Sequence, residues 1–191
     1  MKHKMMVMAL ALLLFLTACA QTAPPEPPPE PQPGTLAISF NYQKQSGSAS
    51  NQFAVWIEDL DGNLVKTLYA AKYTAAGGYK VREDSLKVWV AKAMGVTDFD
   101  AVAGATPKSG PVRYVWDLTD EGGKAVAPGV YVFNVEGTLR WKDYVLFTGE
   151  IAVGGADALA IAEASFFTEK GSAPERGMLT NVRAEYIGGE G

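Results

Sequence analysis

Val130-Tyr131-Val132-Phe133-Asn134-Val135-Glu136-Gly137-Thr138-Leu139-Arg140-Trp141 is the stretch that decides the fold. Tyr131, Phe133, Val135, Leu139 and Trp141 fall on one side of a period-two pattern, which predicts a long β-strand with one face in a core. Asp143 ends it, and Tyr144 to Val153 pairs back. Two strands cannot bury such a face alone, so further strands are needed. Thr35 to Tyr42 alternates with Leu36, Ile38 and Phe40 on one side. Gln52 to Glu58 puts Phe53, Val55 and Ile57 on one face and Trp56 on the other. Leu64 to Tyr69 returns after the turn Asp59-Leu60-Asp61-Gly62-Asn63, where Asp-Gly between alternating runs is a hairpin signal. Val112, Tyr114, Trp116 and Leu118 share a face. Met178, Thr180, Val182, Ala184 and Tyr186 share another. Leu159 to Thr168 is a further strand candidate, although its alanines also allow helix. Many short strands separated by turns predict a mainly β protein, an antiparallel β-sandwich.

One long excursion, 70–111, interrupts the strands. Within it Glu83 to Met94 has Leu86, Trp89, Val90 and Met94 at helical spacing, which predicts one inserted helix. Asp84 or Ser85 is the expected cap, and Gly95 suits its end. Trp89 is expected as a core anchor. The stretch Asp98 to Gly110 follows, the one run whose residue order suggests chemistry rather than packing. A functional excursion on a rigid frame is the usual way a β-domain carries a site.

The chain has 191 residues, enough for one domain of moderate size. Lys2 and Lys4 precede an almost unbroken apolar run, Met5 to Leu16, which is too short to span a bilayer and has the layout of a secretory signal. The single cysteine is Cys19 and the single histidine is His3. Cleavage before Cys19 leaves a chain with no histidine. Removing Lys2 and Lys4 from the 17 basic residues leaves 15 against 21 acidic ones, a net charge of −6. With no histidine and a single cysteine, Ser-His-Asp and Cys-His catalysis, His- or Cys-based zinc sites and histidine-held haem are all excluded. The negative charge and scattered basic residues argue against nucleic acid as a partner. Gln21 to Pro33 is proline-rich, the composition of an extended spacer. The expected layout is a signal peptide at 1–18, a tether at 19–33 and a single β-sandwich domain at 34–191.

Two acidic features read as turns. Asp59, Asp61 and Asn63 echo the start of a calcium loop, but the twelfth loop position is Ala70 where a bidentate glutamate is needed. The adjacent pairs Glu58-Asp59 and Asp120-Glu121 read as solvated turns rather than as the acid–base pair of a carboxylate hydrolase.

Four resemblances add to this. Leu16-Thr17-Ala18-Cys19 resembles the lipobox of bacterial lipoproteins, which implies lipid on Cys19. Ala20 after the cysteine implies the outer membrane, with the domain facing the periplasm. Multiple acyl chains would make that anchoring stable. Trp116-Asp117-Leu118-Thr119-Asp120-Glu121-Gly122-Gly123-Lys124-Ala125-Val126-Ala127-Pro128-Gly129-Val130-Tyr131 resembles the immunoglobulin-like domain of the flagellar hook-capping protein, so the sandwich is expected to be immunoglobulin-like. Ser46 to Trp56, Gly104 to Gly110 and Glu136 to Trp141 resemble a family of predicted periplasmic proteins. By that resemblance, membrane-bound reductases and flavin-handling proteins are implied as neighbours.

The fourth concerns Asp100-Ala101-Val102-Ala103-Gly104-Ala105-Thr106. It resembles the acceptor sequence of bacterial flavin transferases, which split FAD and join FMN through its phosphate to a Thr or Ser hydroxyl. Asp100, Gly104, Ala105 and Thr106 match the pattern. Ala103 departs from it, since a hydroxyl residue is usual there. The resemblance implies covalent FMN at Thr106, installed by a flavin transferase. Gly104 and Ala105 would leave room for the enzyme, and Phe99, Tyr114 or Trp116 could pack on the flavin ring. Such a cofactor would give redox chemistry to a domain that has no other means of it. Two functions stay open on the sequence: an electron-transfer lipoprotein carrying FMN, and a non-catalytic binding or scaffolding module on a proline stalk.

Overall fold

The computed structural model describes residues 30–47, 50–169 and 177–189. The signal, Cys19 and most of the tether lie outside the described residues, as does most of the polar loop after Thr168. No helix among the described residues is long and apolar enough to cross a membrane.

Two sheets face each other. One, sheet A, has strands β1 (Thr35–Tyr42), β5 (Gly110–Trp116), β8 (Ala158–Ile161) and β10 (Leu179–Ile187) in the order β5-β1-β10-β8. The other, sheet B, has β2 (Gln52–Glu58), β3 (Leu64–Ala71), β4 (Ala103–Gly104), β6 (Gly129–Arg140), β7 (Asp143–Val153) and β9 (Glu163–Thr168) in the order β4-β3-β2-β6-β7-β9. The expected sandwich is what forms. All pairings are antiparallel except the short parallel contact of β4 with β3.

The inner faces hold Leu36, Ile38, Phe40, Phe53, Val55, Ile57, Phe133, Val135, Val145 and Phe147, all buried. These are the residues that period-two alternation assigns to a core. At about 25 cal/mol per Å², each large apolar side chain buried here contributes roughly 2 kcal/mol. Gly137 continues the inward row of β6. A Cβ there would press on Leu179 Cδ1 and Met178 Cε at 2.7 Å, so the small residue admits the start of β10.

Four sequence expectations need correction. Trp141 does not continue the inward face of β6. The register shifts between Thr138 and Arg140, and Trp141 stands on the β6–β7 turn with 54% of its surface exposed. In β10 the inward residue near the start is Leu179, not Thr180, because Asn181 takes a left-handed conformation (φ 57°) and the pairing with β1 slips between Ser39 and Asn41. Leu159 to Thr168 is two strands in different sheets, β8 and β9, parted at Ala162. Leu118 leaves the face of Val112, Tyr114 and Trp116, since β5 stops at Trp116 and Leu118 turns left-handed (φ 58°).

The excursion differs most. In place of one helix it carries α1 (Lys72–Ala75), a 3₁₀ turn at Gly78–Lys80, α2 (Lys87–Ala93) and α3 (Phe99–Val102), then β4. It lies as a third layer over the outer face of sheet B. Gln52, Trp56, Glu58, Asn134, Glu136 and Thr138, which alternation assigns to solvent, are buried beneath it.

Neither Asp84 nor Ser85 caps α2. Asp84 is bound to Arg82 and accepts a hydrogen bond from Lys142 N. Ser85 is buried against Thr74 (2.6 Å). Leu86 precedes α2 in a left-handed conformation (φ 50°), so the helix starts only at Lys87, past both expected caps. Its first N–H groups find Glu136 instead: Val88 N donates to Oε1 (3.2 Å) and Trp89 N to Oε2 (2.8 Å). A strand carboxylate from across the layer therefore serves as the cap that a local side chain usually supplies.

Candidate functional site

The stretch from Asp98 to Gly110 is built from three short pieces. Asp98 Oδ1 accepts from Asp100 N (3.1 Å) and caps α3. Phe99 anchors α3, its ring 4.7 Å from Trp89 and 5.9 Å from Tyr79. The chain then runs beside β3, with Ala103 opposite Ala70 and Gly104 opposite Ala71. Ala105 to Ser109 is irregular, and Ser109 Oγ accepts from Lys44 N (2.9 Å), which ties the loop to the end of β1.

The acceptor-like residues thus occupy one continuous path. Asp100 is exposed on α3, Ala103 and Gly104 are half-buried at the sheet edge, and Ala105 and Thr106 are exposed. Beneath them lies Tyr69, whose hydroxyl donates to the carbonyls of Gly104 (3.3 Å) and Ala105 (3.2 Å) and is in hydrogen-bond contact with the Thr106 side chain. Sequence reasoning missed Tyr69, because its place in β3 is that of an ordinary core aromatic. Burial, together with the nearby Tyr42 phenol, pushes the Tyr69 phenol up to about 12.

Tyr69 belongs to an aromatic group. Its ring is 4.7 Å from Phe53 and 4.9 Å from Tyr114, and Tyr42 lies 5.3 Å from Phe53. Of the three aromatics expected near a flavin, only Tyr114 sits in this group. Phe99 is engaged with Trp89 and Tyr79. Trp116 is fully buried at the opposite pole, where it packs on Tyr131 and donates to Thr119 O (2.7 Å). It cannot reach the loop.

Gly104 is required by this packing. A Cβ at position 104 would overlap Tyr69 Cε2, and the Tyr69 ring is held on its other side by Phe53 and Tyr114. Gly104→Ala is expected to cost about 2 kcal/mol as the ring or β4 gives way. Urea denaturation measures the loss, and an unchanged midpoint would refute this packing account.

The other charged candidates have structural work. Glu121 accepts from Thr67 N (2.8 Å) and Thr97 Oγ1 (2.6 Å), fastening a turn to the excursion. Glu58 accepts from Trp56 Nε1 (2.6 Å) and pairs with Lys92 (3.1 Å). Asp59 binds Asp61 N and both nitrogens of Asn63, which holds its carboxyl below the usual range and makes the β2–β3 turn. Among the described residues no group of His, Cys, Asp and Glu could hold a metal ion.

A second surface lies at the same pole. Trp141 at the β6–β7 turn carries the Arg82 guanidinium 5.2 Å from its ring centre. Lys87 lies 4.6 Å from the Tyr144 ring, which stacks on Phe167 at 4.4 Å. Lys142 pairs with Glu169 beside them.

Fold and site define a β-sandwich with a helical layer that presents a loop at one pole. The matching family model is described as "Predicted periplasmic protein (DUF2271)" and covers residues 35–168, so the chain belongs to that family of periplasmic proteins of unknown function. No curated protein and no solved structure gives a significant match. The match stops before β10, yet β10 pairs along β1 and completes sheet A.

Proposed function

We propose that this periplasmic domain is an electron-transfer component carrying FMN covalently on Thr106, held to the outer membrane by lipid on Cys19. The observation that carries the reading is the exposure of Thr106 on a loop whose neighbours Gly104 and Ala105 match a flavin-transferase acceptor. An exposed residue in that position is open to an approaching enzyme, while the loop on both sides is fastened, by Tyr69 and by Lys44. The residues present suit a phosphoester attachment, which asks of this chain only an accessible hydroxyl. The flavin would supply the redox chemistry. Its implied partners are a flavin transferase and a membrane-bound reductase.

The test is co-expression of the full chain with a flavin transferase. The expected result is ultraviolet-excited fluorescence that survives a denaturing gel and an FMN-sized gain in intact mass. Both are expected to vanish in Thr106→Ala. A wild-type chain that gains neither refutes the reading. Intact-mass analysis from the native host also reports acylation of Cys19.

A second reading, a binding or scaffolding module without cofactor, is favoured by the exposed Trp141 and Phe167 with cations over the neighbouring rings. It expects partner capture from envelope extracts to fall in Trp141→Ala and to be unaffected by Thr106→Ala.

A further inference from the structure

The flavin reading leaves open how a threonine on an exposed loop is presented to a modifying enzyme, and a buried phenol outside the acceptor stretch bears on it. Tyr69 is 7% exposed, on β3, and its hydroxyl sits under the loop. Its proton is shared between two backbone carbonyls, of Gly104 and Ala105. The phenol oxygen is also in contact with the Thr106 side chain. The ring itself is fixed between Phe53, Tyr114 and the Cα of Gly104. The loop is therefore held at two successive residues, next to Thr106, by one closely packed side chain.

We propose that Tyr69 is the positioning residue for modification of Thr106. It sets the backbone through the two carbonyls and so fixes where Thr106 Oγ1 stands for the incoming phosphate. This rests on the flavin reading and adds a residue to it. In the transfer, Thr106 Oγ1 forms a bond to the flavin-side phosphorus of FAD. The phosphoanhydride bond breaks, and AMP leaves with the electron pair. The hydroxyl proton passes to a base of the transferase, because Tyr69 already carries its own proton and donates it to carbonyls. Tyr69 thus orients without acting as the base. Fixing a reacting group in place in this way lowers the barrier through orientation.

The experiment is the initial rate of FMN incorporation into the full chain at increasing acceptor concentration, with FAD and a flavin transferase. Tyr69→Phe keeps the ring under Gly104 and removes only the hydroxyl. Its maximal rate is expected to fall about fivefold, the size of one lost hydrogen bond, with half-saturating acceptor concentration unchanged. Tyr42→Phe is the control. Tyr42 lies in the same aromatic group, and its buried hydroxyl has no hydrogen-bond partner among the described residues, so loading is expected at the wild-type rate. If Tyr69→Phe fails to fold, 4-fluorophenylalanine at position 69 keeps the shape and removes the proton that the two carbonyls share, and the rate is expected to drop with it. A loaded wild type with an unaffected Tyr69→Phe or 4-fluorophenylalanine variant overturns the positioning role alone. A wild type that takes up no FMN overturns the flavin reading, and the positioning role with it.

Discussion

Trp89→Ala is expected to lower the stability of the domain by about 4 kcal/mol, the middle of the range for truncating a buried tryptophan. Trp89 has no exposed surface. Its indole Nε1 donates to Thr67 Oγ1 (3.2 Å), and its ring lies against Phe99. Truncation leaves a cavity between α2 and sheet B, removes a hydrogen bond, and takes away the ring on which α3 rests. Against a total of roughly 5–15 kcal/mol for a domain, this is a large share. Urea denaturation gives the number. Hydrogen exchange at Ala103 and Gly104 gives a second readout, because α3 feeds directly into β4. Exchange there is expected to quicken more than in β1, and equal quickening would show that the excursion does not loosen separately.

Glu136 is expected to make the folded state less stable as pH rises from about 5 to about 8. Its carboxyl has no exposed surface, and burial pushes it up to about 7, partly offset by the hydrogen bonds from Trp89 and Val88 and by Lys87. A folded-state value above the unfolded value of 4.5 means that the native state binds the proton more tightly. The contribution is fully present below about 4.5 and is lost as pH climbs through about 7. Over that window the loss is about 3 kcal/mol at most, at 1.36 kcal/mol per unit. Asp59, Asp84 and Asp117 are held below their usual values, so they weaken the fold only toward more acid pH, outside this window. Glu136→Gln is expected to flatten the profile between pH 5 and 8, although its amide meets one of the two α2 N–H groups with a donor. Denaturation midpoints at the two ends of the window measure this. A Gln variant with the wild-type slope would remove Glu136 as its source.

The inner faces of both sheets were legible because they obey one rule, alternation against a single core. Phe53, Val55 and Ile57 on β2, and Phe133 and Val135 on β6, fall where a period of two puts them. The excursion was not legible for the same physical reason. Alternation speaks only of one covered face, and sheet B is covered on both. Trp56 on the nominal outer side of β2 was the local sign of a second cover, and Glu136 among hydrophobic neighbours was another. The cap of α2 was misread because capping rules are local, while Glu136 lies nearly fifty residues further along. At the site, Asp100, Gly104, Ala105 and Thr106 could be picked from residue order. Tyr69 could not, since only the parallel contact of β4 with β3 brings it under the loop.

The chain enters β1 beside its own end, Gly34 N donating to Ile187 O (2.8 Å), whereas Tyr42 at the far end of β1 pairs with Gly110, next to the Thr106 loop. Eight strand residues at about 3.3 Å each separate these poles by roughly 25 Å. Anything that holds the protein by its N-terminal segment therefore holds it by the heel. If the proposed lipid on Cys19 is the hold, a group carried on Thr106 would face away from that membrane.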